Sequence, residues 1–123
     1  MRRIIIATAA LILFALPAAA ETRLVMFETS GCSWCDLWKQ QVGEIYALTD
    51  EGKRAPLTVL NIGAPIPSDL SFEGRARYTP TFVLVDDGVE FARIEGYPGE
   101  DFFWGLLEQM LDNLDKSRAQ AKL

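Results

Sequence analysis

The feature that most constrains this chain is the pair Cys32 and Cys35, its only cysteines, set between a strand-like run and a helix-like one. Leu24-Val25-Met26-Phe27 reads as a buried strand, Thr29-Ser30-Gly31 as a turn, and Asp36 to Leu48 as a helix. Such a chain places two thiols on the first turn of a helix at the carboxyl end of a strand. Helix-terminal amides favour a thiolate there, and two intervening residues let both sulfurs close into one small ring. Thiol–disulfide exchange suits that placement. A static or incidental cysteine pair is the alternative, although so short a loop restricts the unfolded chain very little.

The sequence contains no histidine, which removes several other chemistries. Neither a Ser-His-Asp nor a Cys-His catalytic unit is available. A structural zinc site takes four Cys/His ligands, and only two exist. Covalent c-type haem needs a histidine directly after the second cysteine, where this chain has Asp36. No metal and no cofactor is expected.

Residues 1–20 read as a cleaved export signal. Arg2 and Arg3 supply the positive start, Ile4 to Leu16 are apolar except for Thr8, and Ala18-Ala19-Ala20 offers small residues for cleavage. The apolar run is shorter than the roughly 20 residues of a membrane span, with an uncleaved anchor as the alternative. A single exported domain over residues 21–123 is expected, with 116–123 a frayed polar tail. That domain sets ten basic residues against seventeen acids, a formal charge of −7. So acidic a chain is a poor binder of nucleic acid, which is held by Lys and Arg on phosphates.

The rest of the chain alternates strand and helix. Trp34, Leu37, Trp38, Val42, Ile45 and Tyr46 fall near helical spacing, and Thr49-Asp50-Glu51-Gly52 reads as a turn. Leu57 to Ile62 is almost wholly apolar and reads as a second strand, central and parallel to the first. Leu70 to Arg77 suggests a short helix interrupted at Gly74. Thr81 to Val85 is a third strand, and Asp86-Asp87-Gly88 turns it back through Val89 to Ile94. A last amphipathic helix begins at Glu100 and Asp101 and carries Phe103, Leu106, Leu107, Met110, Leu111 and Leu114 on one stripe. The order βαβ, short helix, ββα predicts an α/β domain, a central mixed four-stranded sheet with helices on both faces.

With the CxxC after the first strand, this order resembles the thioredoxin fold over essentially the whole domain. The resemblance implies a redox disulfide between Cys32 and Cys35, with Cys32 the exposed attacking thiol and Cys35 the buried resolving thiol. It also implies a cis proline at Thr79-Pro80, where the Thr79 backbone pairs with a substrate segment beside Cys32. Trp34 is expected to be partly exposed, either lining the substrate surface or shielding Cys35, and Trp38 to lie in the core. Tyr97-Pro98-Gly99 is read as packing, with an approach to the active site as the alternative, and the cluster Phe102-Phe103-Trp104 as packing. The chain departs from thioredoxins at Met26, where they carry a buried carboxylate that accepts a proton from the resolving thiol; Glu28 is the candidate substitute, and a solvated strand end is the other reading of it. The Ser-Trp dipeptide and Asp36 point to a reducing rather than an oxidising poise.

Met26-Phe27-Glu28, Leu48 to Gly52, Tyr78 to Leu84 and above all Glu95 to Trp104 resemble the SoxS group. These are periplasmic thioredoxin-like proteins associated with bacterial sulfur-oxidation (Sox) operons. That resemblance implies a monomeric reductant that keeps the cysteine-bearing sulfur-carrier subunit active, with a membrane thiol transporter as electron donor. The rival readings are a general periplasmic disulfide reductase or isomerase, a cytochrome c maturation reductant, and a Cu(I)-binding module of the same fold.

Overall fold

A computed structural model of the protein describes residues 14–16 and 20–123. The expected export segment lies almost wholly outside these residues. Among the described residues, no helix is long and apolar enough to cross a membrane.

Four strands form one mixed sheet in the order β2-β1-β3-β4. β1 (Thr22–Glu28) runs parallel to β2 (Leu57–Asn61) and antiparallel to β3 (Thr81–Asp86), which turns back into β4 (Val89–Glu95). The β3–β4 turn needs positive φ at both central residues, and Asp87 and Gly88 adopt +51° and +81°. Helical structure occupies α1 (Ser33–Trp38), a π-helical segment Lys39–Gly43, α2 (Glu44–Tyr46), α3 (Asp50–Arg54) and α4 (Glu100–Ala121).

Strand alternation sorts β1 into two cores. Leu24 and Met26 join Phe82, Leu84 and the helical residues Trp38, Val42, Tyr46, Phe103 and Leu107 on one face. Val25 and Phe27 join Val83, Val85 and Leu70 on the other. Trp38, as expected, is the centre of the first core, with ring centroids 5.1 Å from Phe82 and 5.6 Å from Phe103. Trp38, Val42 and Tyr46 recur every fourth residue, a spacing that drifts off a straight α-helical face of 3.6 residues per turn. The wider turn of the π-helical segment brings all three back to the core. Gly43 permits this, because a Cβ there would stand 3.2 Å from the Trp38 ring.

The sheet and its helices follow the expectation of an α/β domain, with four corrections. β2 is parallel to β1 but lies at the sheet edge, with Val59 exposed. Its apolar run reflects cover on both faces, Leu57 toward the first core and Leu60 toward the second, and says nothing of how many strands flank it. Thr49-Asp50-Glu51-Gly52 starts a helix instead of making a plain turn. The Thr49 hydroxyl accepts the Gly52 N–H at 3.0 Å, and the acids of the first turn and the bases of the last suit the helix dipole. The polar stretch expected to fray is helical to Ala121, where Arg118 bonds Thr22 and Asp86 across the end of the sheet.

The last correction matters most for the site. No helix forms between β2 and β3, so helices cover one face of the sheet and not both. An irregular strap, residues 62–80, covers the second face through Leu70, Phe72 and Ala76. Gly74, the prolines at its start and Pro80 at its end disfavour a helix, and β4 with the turn before it supplies backbone partners to the middle of the strap instead. Ser71 donates to the Gly88 carbonyl at 2.7 Å and accepts from Glu90 N–H at 2.9 Å. The buried Glu90 carboxylate accepts the Glu73 N–H and the Arg93 guanidinium, and Arg93 donates to the Gly74 carbonyl.

Glu90→Ala is therefore expected to lower stability by about 2–3 kcal/mol, read as a lower urea midpoint, because it leaves Arg93 and a strap N–H without their shared acceptor. A loss below about 0.5 kcal/mol, the range of ordinary surface substitutions, would contradict this account of the strap.

Candidate active site

β1 ends at Glu28, and Gly31, at φ +74°, turns the chain into the helix. Cys32 is the N-cap of α1: its sulfur accepts the Cys35 N–H at 3.1 Å and its carbonyl accepts the Asp36 N–H. Cys32 and Cys35 are joined in a disulfide, with Cα atoms 5.2 Å apart. The two sulfurs differ sharply in surroundings. Cys35 is 1% exposed in the first core with Met26 and Trp38, while Cys32 packs against the rim of that core and is half-buried. When the bond opens, the Cys35 N–H stands ready to hydrogen-bond a thiolate on Cys32.

The Thr79–Pro80 bond is cis and Pro80 is buried. The Thr81 hydroxyl donates to the Tyr78 carbonyl at 2.7 Å, and Gly96 N–H donates to the Pro80 carbonyl at 2.7 Å. Among the described residues neither the N–H nor the C=O of Thr79 has a hydrogen-bond partner, so both are open to an extended segment. Thr79 and the exposed Trp34 line one cleft of about 280 Å³. Glu28 is only partly buried and is ion-paired with Lys39, the residue one helical turn beyond Cys35. Met26, at the place of the thioredoxin carboxylate, is wholly buried. Asp36 is exposed.

Two readings of segments as packing understate what those segments do. The far wall of the cleft is Glu95, Gly96, Tyr97 and Pro98, so the segment after β4 both packs and faces the site. Tyr97 is buried and its hydroxyl donates to Gln41 Oε1 at 2.6 Å, tying this wall to the π-helical segment. Burial and the nearby Glu100 raise the Tyr97 phenol above its ordinary value, so it stays a neutral donor. The break Gly96-Tyr97-Pro98-Gly99, directly after a strand, was the signal for this wall. Phe102, read with Phe103 and Trp104 as packing, is instead 71% exposed beside Leu106.

A thioredoxin-like domain model matches residues 14–111. The chain belongs to the thioredoxin-like family. It is 46% identical to the periplasmic thioredoxin SoxS from Paracoccus pantotrophus in its reduced form, over 75% of this chain and 97% of that one, with a TM-score of 0.74. Fasciola hepatica thioredoxin shares the fold at 20% identity and a TM-score of 0.52, over 75% of this chain and 83% of that one. Malassezia sympodialis thioredoxin shares it at 14% identity and a TM-score of 0.50, over 75% and 76% of the two chains. No curated protein sequence matched the chain. A CxxC pair at disulfide distance in this thioredoxin-like fold makes the protein a thiol–disulfide oxidoreductase.

After reduction, iodoacetamide is expected to modify Cys32 at least about tenfold faster than Cys35, as read by mass spectrometry of the two thiols. Equal rates would contradict the difference in exposure.

Proposed function

We propose that this thioredoxin-like protein works in the periplasm as a monomeric reductant of a protein disulfide, with Cys32 attacking and Cys35 resolving. The unequal burial of the two sulfurs carries the assignment of roles. The Cys32 thiolate attacks one sulfur of the partner's disulfide, forms a mixed disulfide and expels the other sulfur as a thiolate. Cys35 then loses its proton and attacks Cys32 Sγ, closing the intramolecular disulfide and releasing the second partner thiolate, which is protonated. The partner gains two electrons and the Cys32–Cys35 pair loses two. A dithiol donor must then restore the pair, and a membrane thiol transporter fits that need.

Trp34 and the open Thr79 backbone beside Pro80 hold the substrate segment across the cleft. Glu28 accepts the Cys35 proton in place of the carboxylate that Met26 displaces. Its pairing with Lys39 supports this reading by placing it beside the helix that carries Cys35. The likeness to the SoxS protein supports a partner in sulfur oxidation, the cysteine-bearing carrier subunit, and an exported location. The Cu(I) alternative is weakened by Met26, which is buried beneath the pair where it cannot complete an accessible soft site.

A Cys35→Ser variant is expected to accumulate a mixed disulfide through Cys32 with its natural partner, whose identity mass spectrometry reads directly. Trapping by Cys32→Ser to the same extent would reverse the two roles. Glu28→Gln is expected to slow closure of the mixed disulfide about tenfold in stopped-flow, less than a fully enclosed base contributes because water reaches the site. An unchanged closure rate would remove Glu28 from proton transfer.

A further inference from the structure

The described residues include six arginines, and four of them pair with carboxylates: Arg23, Arg54, Arg93 and Arg118. Arg75 and Arg77 have no carboxylate partner among the described residues, in a chain where acids outnumber bases seventeen to twelve. Both sit on the strap within four residues of Thr79, and both are exposed around one hollow of about 670 Å³ with Tyr78, Arg93 and Glu95. Glu95 also lines the cleft beside Trp34 and Thr79, so the hollow and the cleft adjoin.

This placement is not loose. Glu73 and Gly74 are bonded to Glu90 and Arg93 on one side of the two arginines, and Tyr78 is held by Thr81 on the other. The two guanidiniums therefore project from a short segment anchored at both ends. Arg93 is already occupied by Glu90, and Glu95 lies 3.9 Å from Arg93, which leaves Arg75 and Arg77 as the unmatched charges of the hollow. A guanidinium is planar, permanently charged and suited to bidentate carboxylate contacts.

We propose that Arg75 and Arg77 bind an acidic stretch of the polypeptide whose disulfide reaches Cys32, extending the contact from the Trp34–Thr79 cleft along the strap. The inference rests on the exchange reading above and adds the chemistry of the partner. Rim charges of this kind act on encounter more than on the bonded state, so their effect falls with salt.

The test uses the full exported domain and synthetic peptides with one intramolecular disulfide, flanked by aspartates, by neutral residues or by lysines. At low ionic strength kcat/KM is expected to be about tenfold higher for the aspartate-flanked peptide than for the neutral one, a preference lost at high salt. R75Q/R77Q is expected to reduce that ratio to near one, R75K/R77K to restore most of it, and R75E/R77E to favour the lysine-flanked peptide. A reversal of preference is not something a misfolded variant produces. An equal rate on aspartate-flanked and neutral peptides by the unaltered protein overturns the proposal, as does a preference that survives R75E/R77E. Salt-sensitive binding to phosphatidylglycerol vesicles without peptide preference also overturns it and assigns the arginines to a membrane surface. Failure to reduce the neutral peptide at all overturns the exchange reading itself, a distinct outcome.

Discussion

Everything functional in this molecule hangs from the burial of β1. Leu24, Val25, Met26 and Phe27 are essentially inaccessible, hydrogen-bonded strands flank them on both sides, and their side chains anchor two separate cores. Each such side chain contributes about 1.5–3 kcal/mol by leaving water. That rigidity ends at Glu28, only four residues before Cys32. The reactive sulfur is thus held by the most enclosed strand through one short turn, and the helix that follows is fixed in turn by Trp38 against Phe82 and Phe103.

Much of this was legible in the residues. The CxxC setting, the parallel β1–β2 pair, the Asp87-Gly88 hairpin and the stripe of α4 all follow from local periodicity and turn chemistry, which act over a few residues. The misreadings share another cause. Whether β2 sits at the centre or the edge depends on what pairs with it, and a run such as Leu57 to Leu60 looks the same in both places. Leu70 to Arg77 has apolar residues at a spacing a short helix would tolerate. Its outcome was decided by acceptors on β4, Glu90 above all, nearly twenty residues away. Thr49 is a different case: the cap, the acids and the bases were all visible, yet they read as a plain turn where a helix forms.

The site shows the same division. Trp34, set between the two cysteines, and Thr79 line one cleft, and Met26 occupies the buried place that a carboxylate holds in thioredoxins. Tyr97 serves the core with one face and the cleft with another, so reading it as packing captures half of its role. Glu28 is drawn toward the helix by Lys39, a partner that only the folded register brings near.

The strap also divides the labour of the fold. A helix covering the second face would tie every residue to a repeat of 3.6, so that changing one contact disturbs its neighbours along the axis. An irregular segment held at a few anchor points carries no such repeat. Between Gly74 and Tyr78 only Ala76 packs on the core, so Arg75 and Arg77 have freedom to differ in charge and bulk while Ser71, Glu90 and Thr81 keep the ends in place. The sulfur chemistry on the helical side and the exposed surface on the strap side are thereby free to diverge independently.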